Sequence, residues 1–396
     1  MADDIVILAG ARTAMAEYSG TPGGGAFKDV SANQLGGHAI RAALERSRVK
    51  PEAVDHVVMG NAMQTGADSI YGARHAALHA GIPVTTPALT VNRICGSGIQ
   101  SIVSAVQMVA LGDAGIAVAG GMENMSQCPH VIRGLRGATV RLGQQPVIED
   151  SLMVNLMDGF CGLYMAQTAE KLAKQYGITR QEQDAFAMRS HKEGTRAVQS
   201  GLFREEIVAV PVKKGTWEKD DHIKPETTLE ALAQLNPAFG REGTVTAGNA
   251  SGIVDAGAAV VLSTWGRAKA DGLPAAGRIV SWGIVGVDPS IMGIGPAPAI
   301  RRACEKAGMS LDQIDLFEIN EAFSAQYLAV EKELQLDRAK CNVNGGAVAI
   351  GHPLAATGTR LVITVLAELK RRGKKFGCAS ACIGGGQGIA LIVERL

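Results

Sequence analysis

The chain has 396 residues, 46% hydrophobic and 19% charged, so a large buried core is expected and disorder is not. Aromatic residues are only 4% against 49 glycines, so close packing rests on small aliphatic side chains, as in an α/β fold whose helices lie near a sheet. The near-balance of 39 Lys+Arg against 38 Asp+Glu excludes a general field for nucleic acid or a membrane surface, so an anionic ligand must be held locally.

The N-terminus, Met1 to Asp4, is short and acidic and leads into the apolar run Ile5–Gly10, without the basic region and cleavage site of a secretory signal. No stretch of about 18 uncharged apolar residues reads as a membrane span. The seven cysteines are odd in number and scattered, which suits free thiols in a reducing compartment better than a disulfide framework. A cytoplasmic protein is expected, or an organelle-matrix protein with an internal address.

In chain order, the first feature is a repeat. Arg41–Ala62 (RAALERSRVKPEAVDHVVMGNA) and Arg301–Ala322 (RRACEKAGMSLDQIDLFEINEA) each predict an amphipathic helix, a helical turn opening at Pro51 or Leu311, and a strand ending at Asn61 or Asn320–Glu321. A Val-Asn turn then precedes a helix in both halves: Val91–Asn92 before Gly98–Leu111, and Val343–Asn344 before Ala356–Lys370. Each half continues into an apolar strand and a glycine cluster, Gly120–Gly121 and Gly384–Gly386. The same order four times over predicts two copies of one βαβ-rich unit. Between them, Met125 to Val245 is richer in charge and predicts helices at Met165–Tyr176 and Arg180–Ser200. The second opens on the capping-box pattern Thr179-x-x-Glu182. Arg133–Asp150 reads as a loop: a solvated excursion, a subunit contact or an active-site cover.

Four segments carry candidate chemistry. Cys95 lies between the extended Ala88–Asn92 and a helix marked by Ile99, Ile102, Val103, Val106 and Ala110, so free N–H groups and the helix dipole favour its thiolate. The alternative is a buried cysteine beside a tight turn. His352, between Gly351 and Pro353, is either a base aimed by a rigid loop or a satisfied core histidine. Cys382 ends an apolar strand ahead of Gly384, Gly385 and Gly386, whose N–H groups can line a cavity. It lies four residues from Cys378, but no further ligands stand at zinc-like spacing, so no metal is expected. Asn320, at a strand end in Glu318–Phe323, is a site residue or a helix N-cap.

Together the motifs VNRICGSG, TVTAGNASG (Thr244–Gly252), NEAF, GGAVAIGHP and CIGGGQG resemble the thiolase family, from Ile5 to the C-terminus. Within it the chain is most similar to the mitochondrial-type 3-ketoacyl-CoA thiolases. The resemblance implies an α/β thiolase fold: two duplicated αβαβα halves forming a five-layered core with an inserted loop domain. The boundaries are 1–124 (completed by 246–272), 125–245 for the loop domain, and 273–396. It implies coenzyme A thioesters as substrates, no permanently bound cofactor, and a homodimer or homotetramer, cytoplasmic or, in a eukaryote, in the mitochondrial matrix.

The resemblance also assigns roles. Cys95 would be the nucleophile and acyl carrier, His352 its base, and Cys382 the acid and base for the α-proton. One oxyanion hole would use His352 and a water placed by Asn320, the other the backbone N–H groups of Cys95 and Gly384. Ser251, Lys224, Met165, Tyr164 and Met292 would contact coenzyme A or its acyl chain. Ala355 stands where many thiolases have Gly, Tyr164 where acetoacetyl-CoA-directed members often have His, and Lys224 where several have Arg. A ketosynthase-type condensing enzyme is disfavoured by Cys382. A non-catalytic acyl-CoA-binding homologue is disfavoured because Cys95, Asn320, His352 and Cys382 are all present.

Overall fold

The computed structural model describes residues 4–137, 141, 143–240 and 242–396. The first half supplies β1 (Ile5–Thr13), α1 (Ala32–Ser47), β2 (His56–Gly60), α2 (Gly72–His79), β3 (Ala88–Val91), α3 (Ser97–Leu111) and β4 (Ile116–Glu123). Helices α4 (Met165–Gln175) and α5 (Arg180–Gln199) follow before β5 (Val254–Thr264). The second half supplies β6 (Gly277–Gly286), α6 (Pro296–Ala307), β7 (Leu316–Ile319), α7 (Ser324–Leu334), α8 (Leu354–Arg372), β8 (Phe376–Ile383) and β9 (Gln387–Arg395).

The strands run side by side in the order β7-β8-β9-β6-β1-β5-β4-β2-β3. At the middle, β1 and β6 pair antiparallel, with Val6 opposite Arg278 and Ile7 opposite Gly277. Pairing matches on either side of that junction: β4 runs parallel to β2 and antiparallel to β5, as β8 runs parallel to β7 and antiparallel to β9. The repeat read in the sequence is therefore a repeat in space. The 3-10 turns Pro51–Ala53 and Leu311–Gln313, and the strands β4 and β8, recur 260 residues apart (51 to 311, 116 to 376).

Strands in both halves bury both faces, so their sequences are continuously apolar. In β4, Ala117 and Ala119 face the central core with α3 and α8, while Ile116, Val118 and Met122 face α1 and α2. In β9, Ile389, Leu391 and Val393 face the centre, while Ala390 and Ile392 face α6 and α7. The resulting layers are helices, sheet, the pair α3 and α8, sheet, helices. At about 1.5–3 kcal/mol for each fully buried Ile, Leu or Val, this central layer is a major source of stability.

The two central helices cross where neither has a side chain. A Cβ on Gly98 would meet Thr359 N at 2.5 Å and Ala355 O at 2.7 Å, and one on Gly358 would meet Ile99 N at 2.6 Å. Thr359 Oγ1 donates to Gly98 O across the crossing (3.2 Å).

The expected caps and helices are present, including the Thr179–Glu182 capping box. Ile94–Leu111, with a mean hydropathy of 1.5, is the mostly buried central segment, in keeping with the helix expected there and with no membrane span expected. One expectation changes. Arg133–Asp150 is not wholly loop: His130–Ile132 pairs antiparallel with Ile148–Asp150, while 138–140 and 142 lie outside the described residues.

Gly98→Ala is expected to destabilise the fold by about 1–3 kcal/mol, because its methyl presses on backbone that cannot step aside. Gly159→Ala, with open space around it, serves as the control, and denaturant unfolding of both variants measures the difference.

Candidate active site

Cys95 sits in a 3-10 turn, Ile94–Gly96, between β3 and α3. The turn is held tightly. Ser97 Oγ accepts from Arg93 N (2.8 Å) and donates to Ile94 O (2.7 Å), and Asn92 Oδ1 accepts from Ile94 N (2.9 Å). Ile94 has φ +46°, a left-handed conformation costly for a β-branched residue and sustained by these bonds. The backbone N–H groups of Gly384 and of Cys95 itself act on the Cys95 sulfur to favour its thiolate.

The sequence expectation of a favoured thiolate is only partly met. Those N–H groups pull the thiol pKa down, but burial outweighs them and pushes it up to about 12, with the Glu123 carboxylate adding to the rise. Cys95 therefore rests as a thiol.

His352 reaches the site from the second half. Gly351, at φ +99°, turns the chain where any Cβ would strike Val254, and His352 N then donates to Gly252 O (2.9 Å). The Ser251 turn is tied in turn to the loop after β7 by Ser251 N to Ala322 O (3.0 Å). The imidazole lies 2.6 Å (Nδ1) from Thr357 Oγ1 and 3.2 Å (Nε2) from Asn320 Nδ2. With Nδ1–H donating to the threonine, Nε2 is the unprotonated nitrogen. Burial, reinforced by the Arg360 charge, depresses the His352 pKa to about 3, so the ring is neutral and able to take a proton.

Cys95, His352 and Gly384 line a cavity of about 880 Å³, together with Ser251, Tyr164, Met165 and Met292. Tyr164 stacks on Phe239 with centroids 5.0 Å apart. Cys382 and Asn320 are wholly buried behind that lining. Cys382 packs against Met292 and Ala322; burial and the neighbouring Cys95 sulfur push its thiol well above the ordinary cysteine value. Among the described residues, Asn320 Oδ1 has no hydrogen-bond partner. Lys224 is not part of the lining: its Nζ is 3.6 Å from Glu17 Oε2 and its N–H donates to His191 Nδ1. Ala355 donates its N–H to Glu123 Oε2 (3.1 Å).

Two polar residues at the site went unread in the sequence, Thr357 and Glu123. Thr357 lies five residues past His352, on a helix read only for its place in the repeat. Glu123 ends a strand read only for its hydrophobicity.

A duplicated α/β core places a cysteine and a neutral histidine on one cavity, with a second buried cysteine and an asparagine behind its lining, the arrangement of side chains a cysteine-dependent group-transfer enzyme would need. Residues 5–265 match the family model for the thiolase N-terminal domain, and 273–395 that for the thiolase C-terminal domain. The chain is 48% identical to human mitochondrial 3-ketoacyl-CoA thiolase over 98% of each chain, and 47% identical to the acetyl-CoA acetyltransferase of Pseudomonas aeruginosa over 99% of each. A crystal structure of human mitochondrial 3-ketoacyl-CoA thiolase in complex with CoA superposes with a TM-score of 0.96 at 47% identity, covering 100% of this chain and 98% of that one. The acetyl-CoA acetyltransferase of Bacillus anthracis superposes at 0.95 and 45% identity, covering 100% and 99%. The chain belongs to the thiolase family and is an acyltransferase of that class.

Because the folded His352 binds its proton more weakly than the unfolded one, its contribution to stability is present above about pH 6.5 and is lost as pH falls toward 3. Below pH 6.5 the wild type is expected to lose up to about 1.4 kcal/mol per pH unit more than His352→Asn. Urea unfolding of both proteins at several pH values measures the difference. Thr357→Val is expected to lower turnover about 10-fold or more by releasing the His352 tautomer, and Thr357→Ser to restore most of it, as steady-state kinetics will report.

Proposed function

We propose that this thiolase interconverts 3-ketoacyl-CoA plus CoA with acyl-CoA plus acetyl-CoA through an acyl-Cys95 intermediate. The observation that carries this reading is that Cys95 and His352 line one cavity, with the buried Cys382 beside the Cys95 sulfur and the buried Asn320 3.2 Å from the His352 ring.

In cleavage, Cys95 Sγ bonds to the C3 carbonyl carbon of the substrate while its proton passes to His352 Nε2. Cys95 is pushed toward its thiol and His352 toward its neutral ring. A resting ion pair is therefore disfavoured, and the proton leaves as the carbon–sulfur bond forms. The C2–C3 bond then breaks, its electron pair stays on C2, and the Cys382 S–H supplies the proton that makes acetyl-CoA. The CoA thiol finally gives its proton to the Cys382 thiolate and attacks the acyl carbon; the acyl–Cys95 bond breaks, and Cys95 Sγ recovers its proton from His352. Condensation runs through the same steps reversed, with Cys382 removing the α-proton.

Backbone N–H groups of Cys95 and Gly384 stabilise the oxyanion on the acyl carbon. His352 and a water held by the unpaired Asn320 Oδ1 stabilise the enolate of the acetyl thioester. Ser251, Met165, Tyr164 and Met292 form the CoA and acyl wall. Four further methionines, Met63, Met125, Met153 and Met157, line the same cavity. Such unbranched side chains fit acyl groups of differing length. Residues 125–245 act as the loop domain carried by the first half (1–124 with 246–272), and 273–396 form the second half. The working protein is a homodimer or homotetramer, cytoplasmic in a bacterium or in the mitochondrial matrix of a eukaryote.

Mixing with acetyl-CoA is expected to add one acetyl mass to the Cys95 peptide. Cys95→Ser should lose both the adduct and thiolysis; normal rates in that variant would remove Cys95 from the nucleophile's role. Cys382→Ala should still acetylate at Cys95 yet fail to exchange the α-protons of acetyl-CoA with deuterium, and retained exchange would remove Cys382 from the base role. Across 3-ketoacyl-CoAs of increasing length, thiolysis should persist beyond acetoacetyl-CoA. An abrupt stop there would restrict the wall to short chains.

A further inference from the structure

Glu123, the last residue of β4, is wholly buried, and its carboxylate accepts four N–H bonds from two parts of the chain. Oε1 takes Asn61 Nδ2 (3.0 Å) and Met63 N (2.8 Å), while Oε2 takes Ala62 N (3.1 Å) and Ala355 N (3.1 Å). Ala62 and Met63 lie on the cavity wall beside Cys95. Ala355 lies in the first turn of α8, three residues after His352. Among the described residues, no other partner of the Ala355 N–H is seen; it is one of the helix-start amides that the helix itself cannot satisfy. One carboxylate therefore joins the wall beside the nucleophile, built by the first half of the chain, to the helix start that carries the base, built by the second.

We propose that Glu123 is a positioning residue for acyl transfer: it sets the register between the His352 loop and the Cys95 side of the cavity. The proposal rests on the reading of Cys95 and His352 as nucleophile and base.

The arrangement constrains what can replace it. Glutamine keeps the length but turns one acceptor oxygen into a donor, which then opposes two of the four N–H groups. Aspartate keeps the charge but is one methylene too short to reach both the Ala62–Met63 segment and α8 together. A misplacement of about 1 Å between reacting groups costs roughly 100-fold in rate. The titratable groups that face the carboxylate are Cys95, Cys128 and Asp255. Burial raises the Glu123 pKa to about 7, with Asp255 adding to the rise, and its negative charge in turn raises the Cys95 thiol. Removing that charge therefore acts on Cys95 in the direction opposite to lost alignment, and the two effects separate in an experiment.

The test compares Glu123→Gln and Glu123→Asp with the wild type in three measurements: steady-state thiolysis of acetoacetyl-CoA, acetylation of Cys95 by acetyl-CoA, and alkylation of Cys95 by iodoacetamide at pH 8. For Glu123→Gln, kcat should fall about 100-fold with KM within about 3-fold, while Cys95 alkylation speeds up several-fold. Glu123→Asp should lose kcat similarly without faster alkylation. Unchanged kcat in a folded variant overturns the proposal. So does a loss of kcat that matches the loss of folded protein by circular dichroism, with alkylation unmoved. If Glu123→Gln does not fold, the kcat and KM of Glu123→Asp decide. Wild-type protein that does not acetylate at Cys95 would sink the underlying site reading, an outcome distinct from a normal wild type with unaffected variants.

Discussion

The site depends on the crossing of α3 and α8 at Gly98 and Gly358. Each helix carries one candidate site residue at its N-terminal end, Cys95 just ahead of α3 and His352 just ahead of α8. Backbone meets backbone at the crossing, with Thr359 bonded to Gly98 O, so the helix axes come closer than any side chain would permit. That approach aligns the two helix starts, and the loops they carry meet at the cavity. Larger residues there would wedge the layers apart and move both reactive groups together.

Around the crossing, the site is tied together by hydrogen bonds between segments distant in the chain. His352 N bonds Gly252 O, Ser251 N bonds Ala322 O, and Glu123 joins residues 61–63 to Ala355. These bonds are sheltered from water, so each stays rigid, and the buried amides they satisfy would be costly to leave bare. Rigidity has an electrostatic counterpart. Cys95, Cys382 and His352 are all driven toward their neutral forms by burial. Charge then develops only when substrate is present, against N–H groups and an asparagine already in place, so little reorganisation is needed.

Much of this was legible in the sequence because the physics is local. The two-face burial of β4 and β9 shows as unbroken apolar runs, the Thr179–Glu182 cap as a four-residue pattern, and the duplication as matching order along the chain. Cys95 and His352 stood out because Gly and Pro around them betray unusual backbone. One reading failed for want of tertiary information. The thiolate expected from the helix dipole was judged without its burial, which depends on what covers the turn.

The sequence by itself determined the repeated units, the candidate nucleophile and base, and the family motifs, because these follow from spacing, backbone chemistry and residue type. Only the tertiary structure decided that Thr357 holds the His352 ring, that Lys224 is drawn to Glu17 outside the cavity lining, and that Glu123 joins the two halves. The physical reason is that these roles belong to hydrogen bonds and charges acting over a few ångströms between residues that can be hundreds of positions apart, and periodicity along a chain carries no trace of them.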